Sequence, residues 1–209
     1  MNENNRRLHD LGQSLWVDNI TRGTLDDGTL KGYIKDLSVT GLTSNPTIFE
    51  KAISGGNDYD AQIAELAASE SDPEQIFFEL AISDLRRAAD EFNEIHERTD
   101  GVDGYVSLEV SPLLADDTEA TIAQAADLYS RIERENVFIK IPGTPAGLPA
   151  IEETIFAGIP VNVTLLFSTE QYLAAADAYL KGIERRIEAG LNPAINSVAS
   201  LFISRWDAA

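Results

Sequence analysis

Short apolar runs alternate along this chain with longer stretches whose apolar residues recur at helical spacing. The runs that read as strands are 14–18, 41–44, 104–109, 137–141, 160–165 and 194–200. Between them, Ile76, Phe77, Leu80, Leu85, Ala88, Phe92 and Ile95 fall on one face of a long predicted helix, and Ile122, Ala125, Ala126, Tyr129 and Ile132 on one face of the next. After residue 165, Ser168 and Gln171 have the spacing of a capping box, with Phe167 and Tyr172 at the staple positions. Tyr172, Ala176, Tyr179, Ile183 and Ile187 are the expected buried face of that helix.

Strand–helix alternation predicts an α/β fold, a parallel sheet with helices packed outside it. A doubly wound sheet and a (β/α)8 TIM barrel both satisfy the pattern. The barrel is favoured on two grounds. No G-x-G-x-x-G or Walker sequence follows a strand. In addition, nearly every predicted strand has a polar or ionisable residue at its C-terminal end: Asp18, Ser44–Asn45, Glu109, Lys140, Asn162–Thr164, and Ser200 with Arg205. In a barrel those ends converge on one mouth, where the chemistry sits.

Composition narrows the function. The 209 residues suffice for one domain with a sizeable core. No apolar run reaches the ~18 residues of a membrane span, and the start, MNENNRRLHD, lacks the apolar stretch of a secretory signal. Absence of cysteine excludes disulfides, zinc–thiolate sites, iron–sulfur clusters and cysteine nucleophiles, and two histidines, His9 and His96, argue against a His-rich metal site. The expected location is the cytoplasm. Sixteen Lys and Arg against 35 Asp and Glu give a net charge of −19, a field that repels nucleic acid and anionic membranes. A phosphorylated ligand would therefore need a local basic pocket.

Lys140 is the sharpest chemical signal. It interrupts Val137-Phe138-Ile139-Lys140-Ile141-Pro142, otherwise a fully buried strand. A buried amine either pairs with a carboxylate, snorkels, or loses its charge and becomes a nucleophile for carbonyl carbon. Glu109 and Asp18 close apolar strands and are acid/base candidates; each could equally cap a helix or pair with Lys140. Asn162 and Thr164 alternate with Val161 and Val163, which puts both polar side chains on one face, as ligands for sugar hydroxyls and water or as a satisfied core pair. Asn45 precedes Pro46 and reads locally as an ordinary helix start. Arg205 could supply a phosphate contact, or be a surface arginine offset by Asp207.

Together these motifs resemble a known family. Leu-Trp-Val-Asp-Asn-Ile (15–20), Gly-Leu-Thr-Ser-Asn-Pro-Thr (41–47), Ser-Leu-Glu-Val (107–110), Phe-Ile-Lys-Ile-Pro-Gly-Thr (138–144), Val-Asn-Val-Thr-Leu-Leu-Phe-Ser (161–168) and Ser-Leu-Phe-Ile-Ser-Arg (200–205) are similar to the successive motifs of transaldolases, in their actinobacterial-type form. The resemblance implies a cofactor-free, metal-free imine enzyme of the non-oxidative pentose phosphate pathway. Such an enzyme moves a dihydroxyacetone unit from fructose 6-phosphate or sedoheptulose 7-phosphate to glyceraldehyde 3-phosphate or erythrose 4-phosphate. It further implies that Lys140 forms the Schiff base, Asp18 deprotonates the C4 hydroxyl, and Glu109 and Thr164 hold a water. Asn45, Asn162 and Ser200 would bind the sugar, and Arg205 the phosphate. The partners implied are phosphorylated sugars.

Two alternatives stay open. One is a fructose-6-phosphate aldolase, which cleaves without transfer; the other is a non-catalytic sugar-phosphate-binding piece of such a barrel. The chain stops barely past its sixth strand, short of a complete (β/α)8 set. The expectation is that residues 1–209 are the first six strands of one barrel domain truncated at its C-terminus, with binding or activity impaired accordingly.

Overall fold

Continuous apolar runs form strands here because both faces of each are covered, and the amphipathic stretches between them cover those faces as helices. The computed structural model describes residues 2–205. They fall into two compact units, Met1–Leu108 with Ile132–Val137, and Glu109–Arg131 with Phe138–Ala209. No helix among the described residues is long and apolar enough to cross a membrane.

In the first unit the order is α1 (Glu3–Asp10), β1 (Leu15–Asp18), α2 (Arg22–Asp26), α3 (Thr29–Leu37), β2 (Val39–Thr43), α4 (Pro46–Ser54), α5 (Asp60–Leu66), α6 (Pro73–Arg98) and β3 (Val106–Glu109). β1 runs parallel to β2, with Asp18 opposite Thr43, and β2 parallel to β3, with Thr43 opposite Ser107. Gly41 is required by its neighbour: a Cβ there would lie 2.4 Å from the Trp16 ring. That ring is held by its Nε1–H, which donates to Asp103 at 3.3 Å.

The long helix α6 is buried over more of its circumference than a single stripe predicts. Phe78, Leu80, Ala81, Ile82, Leu85, Ala88, Ala89, Phe92 and Ile95 are all buried, while Ile76 and Phe77 are half-exposed. Among them lies Asp84, fully buried. Arg22 donates to Asp84 at 3.0 Å, the Tyr59 hydroxyl donates to its other oxygen at 2.8 Å, and the Arg22 guanidinium stacks 4.3 Å over the Tyr59 ring. Burial pushes the Asp84 carboxyl above the ordinary carboxylate range, against the pull of Tyr59 and Arg22. Burial, and then the adjacent Asp84 charge, also push the Tyr59 phenol upward. This cluster ties α2, the start of α5 and α6 together with charges that only satisfy one another.

The second unit opens with Glu109, the last residue of β3, and continues through α7 (Thr118–Ile132, its final residue excepted), β4 (Val137–Pro142, from Phe138), α8 (Gly147–Phe156), β5 (Val161–Leu166), α9 (Thr169–Glu188) and β6 (Ser197–Leu201). β4 runs parallel to β5 and β5 to β6. Both units thus repeat the parallel strand-then-helix unit of (β/α) barrels, the α/β class expected. All six expected strands are present, within three residues of their expected bounds. The last begins at Ser197 rather than 194, because the Asn192 side chain accepts the Ala194 N–H at 3.0 Å and holds the chain in a turn around Pro193.

Two helical faces differ from expectation. In α7 the buried positions are Thr121, Ala125, Leu128 and Ile132, whereas Ala126 is exposed. In α9 they are Ala175, Ala178, Gly182 and Arg186, whereas Tyr172 and Ile187 are exposed and Ala176, Tyr179 and Ile183 half-buried. The reason is close approach. A Cβ on Gly182 would stand 2.8 Å from the Glu152 carbonyl oxygen and the Ile155 side chain, so α9 lies on α8 along its smallest residues. Buried Arg186 is used up on carbonyls, donating to Phe156 at 2.7 Å and Asn192 at 2.6 Å. The Ser168 hydroxyl caps α9 by accepting the Gln171 N–H at 3.2 Å. Gln171, however, accepts from the Phe167 N–H at 2.8 Å, one residue before the position a capping box requires. Large apolar side chains remain exposed across this unit, among them Leu173, Leu180, Ile187, Leu191, Leu201 and Ile203.

Because Asp84 has no exposure and Arg22 is its cationic partner, Asp84→Ala strands a guanidinium and a phenol in the interior. Chemical denaturation is expected to show a loss of about 3–5 kcal/mol for this variant.

Candidate active site

β4 is buried at every position from Val137 to Pro142, Lys140 included, with 5% of that residue exposed. Its amine lies 3.1 Å from the Glu109 carboxylate, whose side chain is 11% exposed. The pairing is set by the backbone, since the Val110 N–H, next to Glu109, donates to the Lys140 carbonyl at 3.1 Å. A carboxylate within hydrogen-bond reach both satisfies the buried cation and can take its proton. Of the open readings of Lys140, the paired one is therefore realised.

The neighbouring strand extends this polar patch. Lys140 is directly opposite Asn162, and Pro142 opposite Thr164, in the parallel register of β4 and β5. Val163 lies beside Tyr172 and Ala175 of α9, so the alternating Asn162 and Thr164 occupy the other face of the sheet, the one Lys140 shares. Both are 1% exposed. On β6, the Ser200 hydroxyl donates to the Asn162 Oδ1 at 2.9 Å, which fixes that amide and leaves its NH2 side directed by the same bond. Lys140, Glu109, Asn162 and Ser200 thus form one polar patch across the strand ends, with Thr164 on the same face. Leu165, immediately after Thr164, has a left-handed backbone (φ 59°), and the β5–β6 register shifts across it. For a leucine this conformation costs on the order of 1 kcal/mol.

The turn after β4 is fixed by Thr144 and Gly147. The Thr144 hydroxyl donates to the Ala115 carbonyl at 2.6 Å and accepts the Gly147 N–H at 3.0 Å. A Cβ on Gly147 would overlap the Pro142 carbonyl oxygen at 1.9 Å, so only glycine lets α8 start so close to the strand end.

The remaining candidates are placed differently. Asp18 ends β1 in the first unit and is exposed. Asn45, in the same unit, caps α4: its Oδ1 accepts the Ile48 N–H at 3.0 Å, the helix-start role its local sequence suggests. Beside it the Ser44 hydroxyl donates to the Ser107 carbonyl at 2.7 Å. Arg205 is exposed in a 3-10 turn (Ile203–Arg205) in the second unit, and Asp207, its suggested offset, lies outside the described residues. Sequence reading passed over Thr43, whose buried hydroxyl at the end of β2 has no hydrogen-bond partner among the described residues. Its place two residues before Asn45, at a strand end, is the signal that marks it. Among the described residues no group of three or more His, Asp and Glu side chains could hold a metal ion.

Residues 15–209 match the family model described as Transaldolase/Fructose-6-phosphate aldolase. The chain belongs to this family. It is 50% identical over 202 residues to a transaldolase of Trichodesmium erythraeum, covering 96% of this chain and 53% of the relative. To a transaldolase of Mycolicibacterium paratuberculosis it is 49% identical over 207 residues, covering 99% of this chain and 56% of the relative. To one from an Arthrobacter species it is 48% identical over 204 residues, covering 97% and 55%. The chain spans about half the length of the relatives it matches.

The buried pair is expected to respond asymmetrically to substitution. Glu109→Ala removes the carboxylate partner of a buried ammonium and is expected to cost about 3–5 kcal/mol in chemical denaturation. The double variant Lys140→Met with Glu109→Gln, which removes both charges at similar volume, is expected to recover most of that loss.

Proposed function

We propose that this chain carries the Schiff-base machinery of a transaldolase, using Lys140 to transfer a dihydroxyacetone unit between phosphorylated sugars. The observation that carries this reading is a buried amine at a strand end, 3.1 Å from a carboxylate and in register with a buried amide. Family membership and the relatives named transaldolase support it.

The chemistry starts with loss of a proton from the Lys140 ammonium to Glu109, the acceptor within reach. The freed lone pair attacks the C2 carbonyl of a ketose phosphate, and the resulting carbinolamine loses water to become a protonated imine. Glu109 returns its proton to the departing oxygen through a water that it holds together with Thr164. A base then removes the C4 hydroxyl proton, the C3–C4 bond breaks, and its electrons move into the iminium to give an enamine. The aldose phosphate leaves. In the reverse sense the enamine carbon attacks the aldehyde of a second aldose phosphate, and water releases the product from Lys140. Burial of the enamine slows its protonation and favours transfer over loss.

Asp18 enters as the C4 base and Asn45 as a ligand for the three-carbon unit on the strength of the family likeness. With its Oδ1 committed to the α4 N-terminus, Asn45 would bind through its NH2. Asn162 and Ser200, already hydrogen-bonded to one another, would bind the sugar hydroxyls, and Arg205 the phosphate. Residues 1–209 are read as part of one barrel domain acting in the cytoplasm.

Borohydride reduction in the presence of fructose 6-phosphate is expected to give a covalent adduct that peptide mass spectrometry maps to Lys140; Lys140→Met should give none. An adduct on another lysine, or none with the sugar bound, would overturn the assignment. Asp18→Ala is expected to keep the adduct while slowing C–C cleavage about 10²–10⁴-fold. Product analysis with and without an aldose phosphate acceptor separates transfer from simple cleavage of the fructose-6-phosphate aldolase kind.

A further inference from the structure

The first unit contains a cavity of about 410 Å³ where α1, α3 and α6 meet the start of β2. Arg6 and His9 reach it from α1, Lys35 from α3, and Glu94 and Arg98 from α6. Its strand contribution is Val39 and Thr40, the first residues of β2. Within this unit, Asp18 and Asn45 stand at the opposite, C-terminal ends of β1 and β2, so the cavity is not where those two act.

Its charges are anomalous for this chain. Carboxylates outnumber cations 35 to 16, and ion pairing is the rule elsewhere: Arg22 with Asp84, Arg87 with Asp26, Arg134 with Asp90, Arg185 with Glu152 and Glu153. Arg6, Lys35 and Arg98 line one cavity, and the side chain of none of the three has an ion-pair, hydrogen-bond or ring partner among the described residues. Glu91, also on the wall, is already taken by Lys31 at 3.2 Å. With Glu91 paired to Lys31, the lining sets three cations against Glu94 alone, a positive excess on an otherwise acidic chain that favours an anion. Guanidinium groups in particular present forked donors that fit phosphate oxygens.

We propose that this cavity binds a small hydroxylated phosphomonoester, with its phosphate on Arg6, Lys35 and Arg98. Glu94 accepts from a ligand hydroxyl, and the side chains of Ile34 and Ile95 cover the ligand's carbon frame. The volume holds a ligand of a few carbons with its phosphate. Binding there is independent of the Schiff-base site.

The test is calorimetric titration of the full chain at fixed ionic strength, with glycerol 2-phosphate, inorganic phosphate and glycerol as probes. Glycerol 2-phosphate is expected to bind saturably, with inorganic phosphate competing and glycerol silent. Arg6→Gln with Arg98→Gln, both exposed positions, should weaken glycerol 2-phosphate at least about tenfold while the circular dichroism spectrum and borohydride trapping on Lys140 stay unchanged. Lys140→Met with Arg205→Gln should leave this binding intact. Glu94→Gln should weaken glycerol 2-phosphate but strengthen inorganic phosphate, because it removes a hydroxyl acceptor and a repelling charge together. Binding unaffected by the Arg6/Arg98 substitutions, or abolished by those at Lys140 and Arg205, would overturn the proposal. Equal binding of inorganic phosphate and glycerol 2-phosphate in wild type and Glu94→Gln would overturn the organic part of the ligand.

Discussion

An ammonium and a carboxylate held 3.1 Å apart among buried strands constrain everything around them in the second unit. Taking two such ions out of water costs several kcal/mol each, and their attraction repays that only when geometry is fixed and other polar groups are satisfied. The neighbouring elements supply this. The Val110–Lys140 backbone bond sets the strand offset that brings Glu109 to the amine. The β4–β5 register sets Asn162 beside Lys140, and Ser200 orients Asn162 in turn. A glycine at 147 lets α8 close over the strand end without displacing it. The Glu109 carboxylate and the Ser200–Asn162 bond are the features here that an isoleucine at 140 would not call for.

The strands were legible because a parallel sheet covered on both faces leaves little but apolar residues, against which Asp18, Glu109, Lys140 and the Asn162–Thr164 pair stand out. Period two correctly put Asn162 and Thr164 on the face away from α9. Helix existence was equally legible, but the buried face was not. In α9 the eye follows Tyr172, Tyr179 and Ile187, whereas close helix packing selects Ala175, Ala178 and Gly182, residues that hydrophobic periodicity underweights. The Arg22–Tyr59–Asp84 cluster was invisible for another reason: its members are 25 and 62 residues apart, and nothing local marks them as partners. Asn45 shows the limit from the other side. Its local sequence predicted a cap, and a cap is what its Oδ1 makes, so a role in binding sugar rests on family likeness and on its remaining NH2.

Charge organises the first unit differently from the second. In the second, the buried and half-buried cations are consumed in place: Lys140 by Glu109, Arg185 by two glutamates, Arg186 by carbonyls. In the first, Arg22 is paired with Asp84, while the side chains of Arg6, Lys35 and Arg98 gather near the start of β2 without partners among the described residues.

The apolar side chains left in water on the second unit, from Leu173 and Leu180 on α9 to Leu201 at the end of β6 and Ile203 after it, bear on how copies of this chain behave toward one another. Such surface is adhesive. What keeps copies apart is the charge of −19 that each carries. That protection works through a field whose reach shrinks to about 3 Å in molar salt. Colloidal behaviour of this protein is therefore governed by ionic strength rather than by its core: dilute buffer disperses it, and concentrated salt lets the same leucines and isoleucines meet.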